Sequence, residues 1–190
     1  QNTGSKVRYV ECQQSSDFPI NIDKLADENT NLTWGIGYKL ADHIDLASKI
    51  NPERNYAIAD FSFGESTPEN VTGVLFRAEE SSFLAGYIAG WKTKKAMVGF
   101  IGGMKGLVID QFEYGYRAGV AYAAQKLGKN IDVKVQYAES FTDSAKGKAI
   151  AMKMFDECDV VFHAAGGAGV GIIEAAKEKD MYAIGVDMDQ

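Results

Sequence analysis

Cysteine, histidine and proline are scarce in this chain of 190 residues, which contains two, two and three of them. Cys12 and Cys158 show no CxxC spacing, so the sequence predicts neither a zinc site nor a redox motif. We expect no disulfide between them, because we place them in different lobes. His43 and His163 come without an HExxH motif, and no GxSxG motif is present. We therefore predict no catalytic residues, no bound metal and no cofactor.

The chain also lacks long apolar runs and an excess of basic residues. No apolar stretch approaches the roughly 20 residues that span a bilayer, and no basic-then-apolar leader begins at Gln1. The formal net charge of −6 argues against a nucleic-acid partner, since such proteins carry a basic face. Hydrophobic residues at 46% and charged residues at 24% are ordinary for a globular protein with one or two domains.

Strand and helix patterns alternate along the whole chain. Period-2 or short apolar runs predict strands at Lys6–Glu11, Asn31–Ile36, Asn55–Ala59, Val71–Phe76, Met97–Ile101, Val133–Tyr137, Val160–His163 and Tyr182–Val186. Helical spacing predicts helices at Asp17–Asp27, Leu40–Ile50, Glu79–Lys92, Asp110–Leu127, Asp143–Phe155 and Gly171–Lys179. This order predicts an α/β fold in which parallel sheets are flanked by helices.

Two segments of the chain echo each other. Thr33–Asp60 and Val160–Asp187 both read as strand, glycine turn, helix, strand and aspartate, with the similar endings NYAIAD and MYAIGVD. We interpret them as matching parts of two similar lobes, although two unrelated βαβ units could resemble each other by chance. The basic stretch KTKKA at Lys92–Ala96 then marks the boundary, which gives lobes of residues 1–95 and 96–190.

Ligands of parallel α/β sheets bind beyond the carboxyl ends of the strands. That rule selects residues that follow the predicted strands: Gly37, Tyr38, Asp60, Gly102–Met104, Ser140, Phe141, Ala165, Gly166, Gly167 and Asp187. Of these, Tyr38, Asp60, Phe141, Ala165, Gly166, Gly167 and Asp187 are the candidate ligand-binding residues, and Phe112, in the predicted helix Asp110–Leu127, joins them as a third aromatic candidate. Carboxylates at strand ends suit a vicinal diol such as a ribose, because they accept two hydroxyl hydrogen bonds. Each aspartate could instead cap a turn. Each aromatic side chain could stack on a base, cover the face of a sugar or pack in the core.

The glycine clusters leave an enzyme as an alternative. The run GGMKG lacks the spacing of a phosphate-binding P-loop, and GGAGVG does not match GxGxxG. Because GGAGVG precedes a predicted helix, a Rossmann-like nucleotide-dependent enzyme remains an alternative, as do a sugar-type solute-binding protein and the effector-binding core of a regulator.

Several runs resemble the basic membrane protein (BMP) family, which comprises substrate-binding lipoproteins of ABC transporters. They are EESSFLAGYIAG, VGFIGGMKGLVIDQFEYGYRAGV, SFTDSAKGKAIA, VVFHAAGGAGVGIIEAAKEK and AIGVDMDQ. The resemblance implies a two-lobed fold like that of type I periplasmic binding proteins. It also implies a chain that is truncated at both ends relative to the family. The last of these runs, AIGVDMDQ, ends with Met188, Asp189 and Gln190.

The resemblance also implies a function. Such a protein binds a purine nucleoside, for example adenosine, guanosine or inosine, in the cleft between its lobes, and delivers it to the permease of an ABC uptake transporter without changing it. Asp60 and Asp187 match acidic strand-end residues of the family, Gly166 and Gly167 match its AAGG turn, and Phe112 and Phe141 match cleft-facing positions. It implies an extracytoplasmic location, either periplasmic or anchored to the cell membrane through a lipid that this chain lacks.

Overall fold

The computed structural model describes residues 4–187. It contains the helices α1 (Asp17–Asp27), α2 (Ala41–Ile50), α3 (Ala78–Lys92), α4 (Leu107–Leu127), α5 (Ser144–Glu157) and α6 (Gly169–Lys179). Its strands are β1 (Leu32–Ile36), β2 (Asn55–Ala59), β3 (Val71–Val74), β4 (Met97–Gly102), β5 (Asp132–Tyr137), β6 (Val160–Ala164) and β7 (Tyr182–Ile184). All strand pairs are parallel, as expected for an α/β fold built from βαβ units. None of the helices within residues 4–187 is long and apolar enough to cross a membrane.

The first of two compact units ends at Phe76 and contains a three-stranded sheet in the order β1-β2-β3. Helices α1 and α2 supply Ile22 and Ile44 to a core with Tyr56 and Ile58 of β2. This core lies on one face of the sheet, because Tyr56 and Ile58 alternate with Ala57 along the strand.

On the other face of the first sheet, the edge strand β1 is exposed, whereas Ala57 and Ala59 of β2 are buried. Strand β1 alternates exposed and buried residues, and the exposed ones are Leu32, Trp34 and Ile36. Ile36 is 72% exposed. Three large apolar side chains therefore form a stripe along one face of β1.

The second unit begins at Arg77 and contains a four-stranded sheet in the order β5-β4-β6-β7. Helices α3 and α4 cover one face through a core that includes Tyr116, Phe100 and Phe162. Helices α5 and α6 cover the other face through Met154 and Ile172 among others. With both faces buried, β4 and β6 are almost entirely apolar, with His163 as the polar residue of β6, and such near-continuous apolar runs are typical of central parallel strands.

The boundary between the two compact units lies between Phe76 and Arg77, whereas the sequence predicted a boundary between residues 95 and 96. Helix α3 belongs to the second unit, because small residues let it pack closely along α4. A Cβ atom at Gly119 would lie 1.9 Å from the carbonyl oxygen of Phe83, and one at Gly86 would lie 2.0 Å from that of Tyr116. The basic stretch at Lys92–Ala96 therefore connects a helix and a strand of the same unit.

The strand predicted at Lys6–Glu11 is wrong, because this segment has no regular structure. A strand needs a neighbour for its backbone hydrogen bonds, and β1 pairs only with β2 in the described sheet. Val7 and Tyr9 are more than four-fifths exposed. The remaining predicted strands and helices are all present, with shifts of at most three residues at their ends.

Candidate functional site

The candidate site of the second unit lies at the carboxyl edge of its sheet. Four loops leave this edge, after β4, β5, β6 and β7. Two backbone hydrogen bonds extend the ladder past the strand ends: the N–H of Gly103 donates to the Ala164 carbonyl at 2.9 Å, and the N–H of Ala138 donates to the Gly102 carbonyl at 2.8 Å. The first residues of the loops after β4 and β5 are therefore held by the same kind of hydrogen bond as the strands themselves.

The loop between β5 and α5 fixes the backbone of Phe141. The hydroxyl oxygen of Ser140 accepts hydrogen bonds from the N–H groups of Thr142 and Asp143 at 3.1 and 3.0 Å. Asp143 caps α5 by accepting from the N–H of Lys146 at 2.9 Å. The carbonyl of Phe141 accepts from the N–H of Ala168 at 3.3 Å, which ties this loop to the turn after β6.

The turn Ala165–Gly167 comes directly against Phe141. A Cβ atom at Gly166, where φ is +54°, would lie 3.2 Å from the Phe141 carbonyl oxygen, and one at Gly167 would lie 3.3 Å from it. The structure thus brings three predicted site residues together: Phe141, Gly166 and Gly167. Ala165 is fully buried and belongs to the core on the α5 and α6 side, so its side chain is not accessible to a ligand.

Phe112, a further predicted site residue, packs mainly against the core of the second unit. Its half-buried ring packs against the core on the α3 and α4 side, with its centroid 6.3 Å from that of Phe162. Most of the contacts of Phe112 are therefore those of a residue that packs in the core, which is one of the interpretations that the sequence left open.

Asp60 and Asp187 share an unusual backbone conformation. Asp60 follows β2 directly with φ of +61°, and Asp187 lies three residues after β7 with φ of +71°. Positive φ is uncommon for residues other than glycine, although aspartate and asparagine tolerate it best. The N–H of Asp60 donates to the Val74 carbonyl at 2.9 Å, so its position is fixed by β3. Asp187 is exposed.

Tyr38 lies in a short 3-10 helix (Tyr38–Leu40) after β1, next to Gly37 with φ of +103°. Its side chain is 39% exposed. Because β1 and β2 are paired and parallel, Tyr38 and Asp60 leave the same edge of the first sheet. The first unit therefore places its two predicted residues at neighbouring strand ends, as the sequence predicted.

A buried polar pair joins α4 to β5 near the same edge of the second sheet. The hydroxyl of Tyr137 donates to Glu113 Oε2 at 2.6 Å, and Arg117 Nε donates to Glu113 Oε1 at 2.8 Å. Burial, together with the carboxylate of Glu113, raises the pKa of Tyr137 well above its usual range. The phenol therefore stays protonated and holds the beginning of α4 against the sheet.

The two reactive residue types of the second unit are both core residues. His163 is fully buried in β6, and a Cβ atom at Gly169 would lie 2.1 Å from its Cε1 atom. Burial raises the pKa of the Cys158 thiol to about 11, so this cysteine is not a thiolate at neutral pH. Both cysteines are free. Neither His163 nor Cys158 is placed to reach a substrate at the strand ends.

Sequence reasoning missed two features of the site. Glu139 follows β5 with φ of +52°, which makes it a third acidic residue in this conformation after a strand. Gly103 lies under the ring of Phe141, where a Cβ atom would come within 2.3 Å of the ring. The sequence placed Gly103 directly after a strand, but nothing in it indicated which side chain would lie over this glycine.

Comparison with known proteins identifies relatives for the whole chain. The profile of the Bmp family, described as ABC transporter substrate-binding protein PnrA-like, matches residues 1–190. Basic membrane protein A of Borreliella burgdorferi is 42% identical over 97% of this chain and 55% of its own length. The chain therefore spans about half the length of the curated relatives that it matches.

Solved structures share the fold. A solute-binding protein of an ABC transporter system from Aeropyrum pernix K1 superposes with a TM-score of 0.82 at 25% identity, over 96% of this chain and 53% of that one. A transcriptional activator of the comK gene from Bacillus halodurans also superposes, with a TM-score of 0.70 at 22% identity, over 91% of this chain and 58% of that one. The second likeness shows the fold alone, so the fold does not by itself separate a transport protein from a regulator.

Proposed function

Since the chain belongs to the Bmp family of PnrA-like ABC transporter substrate-binding proteins, we propose that it is the ligand-binding part of an ABC uptake system. It binds a purine nucleoside at the strand ends, does not react with it, and delivers it to a permease. We place it outside the cytoplasmic membrane, either periplasmic or lipid-anchored.

The observation that carries the nucleoside assignment is the combination, at the carboxyl edge of one sheet, of a carboxylate and an aromatic residue whose backbone is held by hydrogen bonds. Asp187 and Phe141 follow two strands of the same sheet. A ribose offers a vicinal diol to a carboxylate, and a purine offers a flat face to an aromatic ring. Asp60 and Tyr38 repeat the pairing of a carboxylate and an aromatic residue in the first unit.

Calorimetry with a ligand panel tests this function. The protein is a chimera of family length, in which this chain replaces the matching segment of Basic membrane protein A, and circular dichroism confirms that it is folded. We expect adenosine, guanosine or inosine to bind with micromolar or tighter affinity, about −8 kcal/mol or better, and to be recovered unchanged. Ribose, glucose and galactose serve as controls. Preference for a sugar, or conversion of the nucleoside to base and sugar, would contradict the proposal.

A further inference from the structure

The aromatic ring of Phe141 rests on a residue that has no side chain. If Gly103 carried a Cβ atom, its three nearest neighbours would all be atoms of that ring: Cδ1 and Cε1 at 2.3 Å, and Cζ at 3.1 Å. Real Cβ contacts do not come this close. The ring therefore occupies the volume that any side chain at position 103 would fill.

The backbone on both sides of this contact is fixed. The N–H of Gly103 donates a hydrogen bond to the Ala164 carbonyl, and this bond holds the backbone under the ring next to the end of β6. The carbonyl of Phe141 is bonded to Ala168, and the flanking Ser140 hydroxyl accepts from two N–H groups. A methyl group at position 103 can thus be accommodated only by movement of the ring, which is the flexible end of its side chain.

From this arrangement we infer that Gly103 is a positioning residue, which sets the placement of the Phe141 ring as the stacking surface for the base of the ligand. The inference rests on the proposed function. The inference adds to the proposed function the residue Gly103, which affects binding only through Phe141. Stacking of a base on an aromatic side chain is sensitive to ring placement, and losing it weakens binding by about 5- to 150-fold.

The neighbouring Gly106 provides a matched control. It lies in the same loop, a Cβ atom there would meet nothing within 4 Å, and its φ of 167° is extended backbone that any residue adopts. Gly103→Ala and Gly106→Ala add the same methyl group to the same loop. Only the first substitution adds it under the ring.

The test is calorimetry with guanosine on the chimera. We expect Gly103→Ala to weaken binding about tenfold, and Gly106→Ala to change it less than twofold. In a Phe141→Leu background, which removes the ring, Gly103→Ala should have no further effect. Unchanged affinity in Gly103→Ala, or the same tenfold loss with and without the ring, would overturn the inference.

A crystal structure of Gly103→Ala in the 190-residue chain tests ring placement without any ligand. We expect the ring of Phe141 to have turned away from position 103 while its backbone stays in place. A ring in its original position would overturn the inference. If the unsubstituted chimera binds no nucleoside, the proposed function fails and the stacking role fails with it, whereas the crystal structure still decides whether Gly103 positions the ring.

Discussion

At the scale of single residues, the candidate site depends on backbone conformation as much as on residue type. Asp60 and Asp187 both adopt positive φ after a strand, a conformation that costs most residues about 1–2 kcal/mol. The sequence predicted where these carboxylates lie, because aspartate after an apolar strand is a readable pattern. It did not predict their conformation, which depends on hydrogen bonds such as that between the Asp60 N–H and Val74.

Asp187→Asn tests the role of the carboxylate while preserving the backbone, because asparagine also tolerates positive φ. In the chimera we expect nucleoside binding to weaken by about 1.5–3 kcal/mol, the range for a hydrogen bond to a charged group, or about 10- to 150-fold. Asp180→Asn is the control, since Asp180 is exposed, has φ of +54° and precedes β7 instead of following it. Equal effects of the two substitutions in calorimetry would contradict the role of Asp187. The same change at Asp60 tests whether the first unit contributes to binding.

Asp159 is a second residue whose carboxylate matters, here for stability. It is 8% exposed and accepts hydrogen bonds from Thr93 Oγ1 at 2.6 Å, from the Lys94 N–H at 2.6 Å and from the Lys95 N–H at 3.1 Å. Burial alone would raise the pKa of Asp159, but these hydrogen bonds hold it below its ordinary value of 3.8. The carboxylate therefore joins the end of α3 to the beginning of β6.

We expect Asp159→Asn to lower the free energy of unfolding by about 2 kcal/mol at pH 7, because the amide offers one acceptor oxygen in place of two charged ones. The lowered folded-state pKa means that the wild-type advantage is fully present above pH 4 and shrinks as the pH falls towards the folded-state pKa. Urea denaturation at pH 7 and pH 3 measures both effects. Asp156→Asn, at an exposed carboxylate on α5, should change stability little. A deficit that is the same at both pH values would contradict this account.

At the scale of elements, the alternating pattern predicted nearly every helix and strand, and its single failure is informative. Lys6–Glu11 alternates like a strand yet forms none, because alternation specifies which face a strand would bury but not whether a neighbouring strand is there to pair with it. The close pairing of α3 and α4 was signalled by small residues in the predicted helix. The sequence did not identify α4 as the partner helix, since that contact joins residues about 30 positions apart.

Gly119→Ala tests that helix pair. Helix propensity alone predicts stabilisation by about 1 kcal/mol, whereas the new methyl group would lie 1.9 Å from the carbonyl oxygen of Phe83. We expect a net loss of about 1–3 kcal/mol in the free energy of unfolding from overpacking, measured by urea denaturation. The exposed Ala121, two residues along the same helix, is the control, and Ala121→Gly should cost about 1 kcal/mol through propensity alone. Stabilisation by Gly119→Ala would show that the helices can separate without cost.

At the scale of the whole molecule, the sequence echo predicted the repeated βαβ arrangement. In both copies two parallel strands are paired, and an aspartate with positive φ follows the second of them, directly after β2 and three residues after β7. It did not predict the boundary between the compact units, because a basic stretch marks solvent exposure and not a change of packing partner. It also did not predict that Leu32, Trp34 and Ile36 would be exposed on one face of β1. An apolar run of this kind is typical of a strand that is covered on both faces.

The central claim, that this protein holds a purine nucleoside without reacting with it, is tested most directly by the ligand that it retains. The chimera is purified under native conditions from cells grown with a nucleoside mixture, and the small molecules released on denaturation are identified by mass spectrometry. We predict an intact purine nucleoside at a level approaching one molecule per protein, and a much lower level in Asp187→Asn. Recovery of a sugar, or of a separated base and ribose, would contradict the claim.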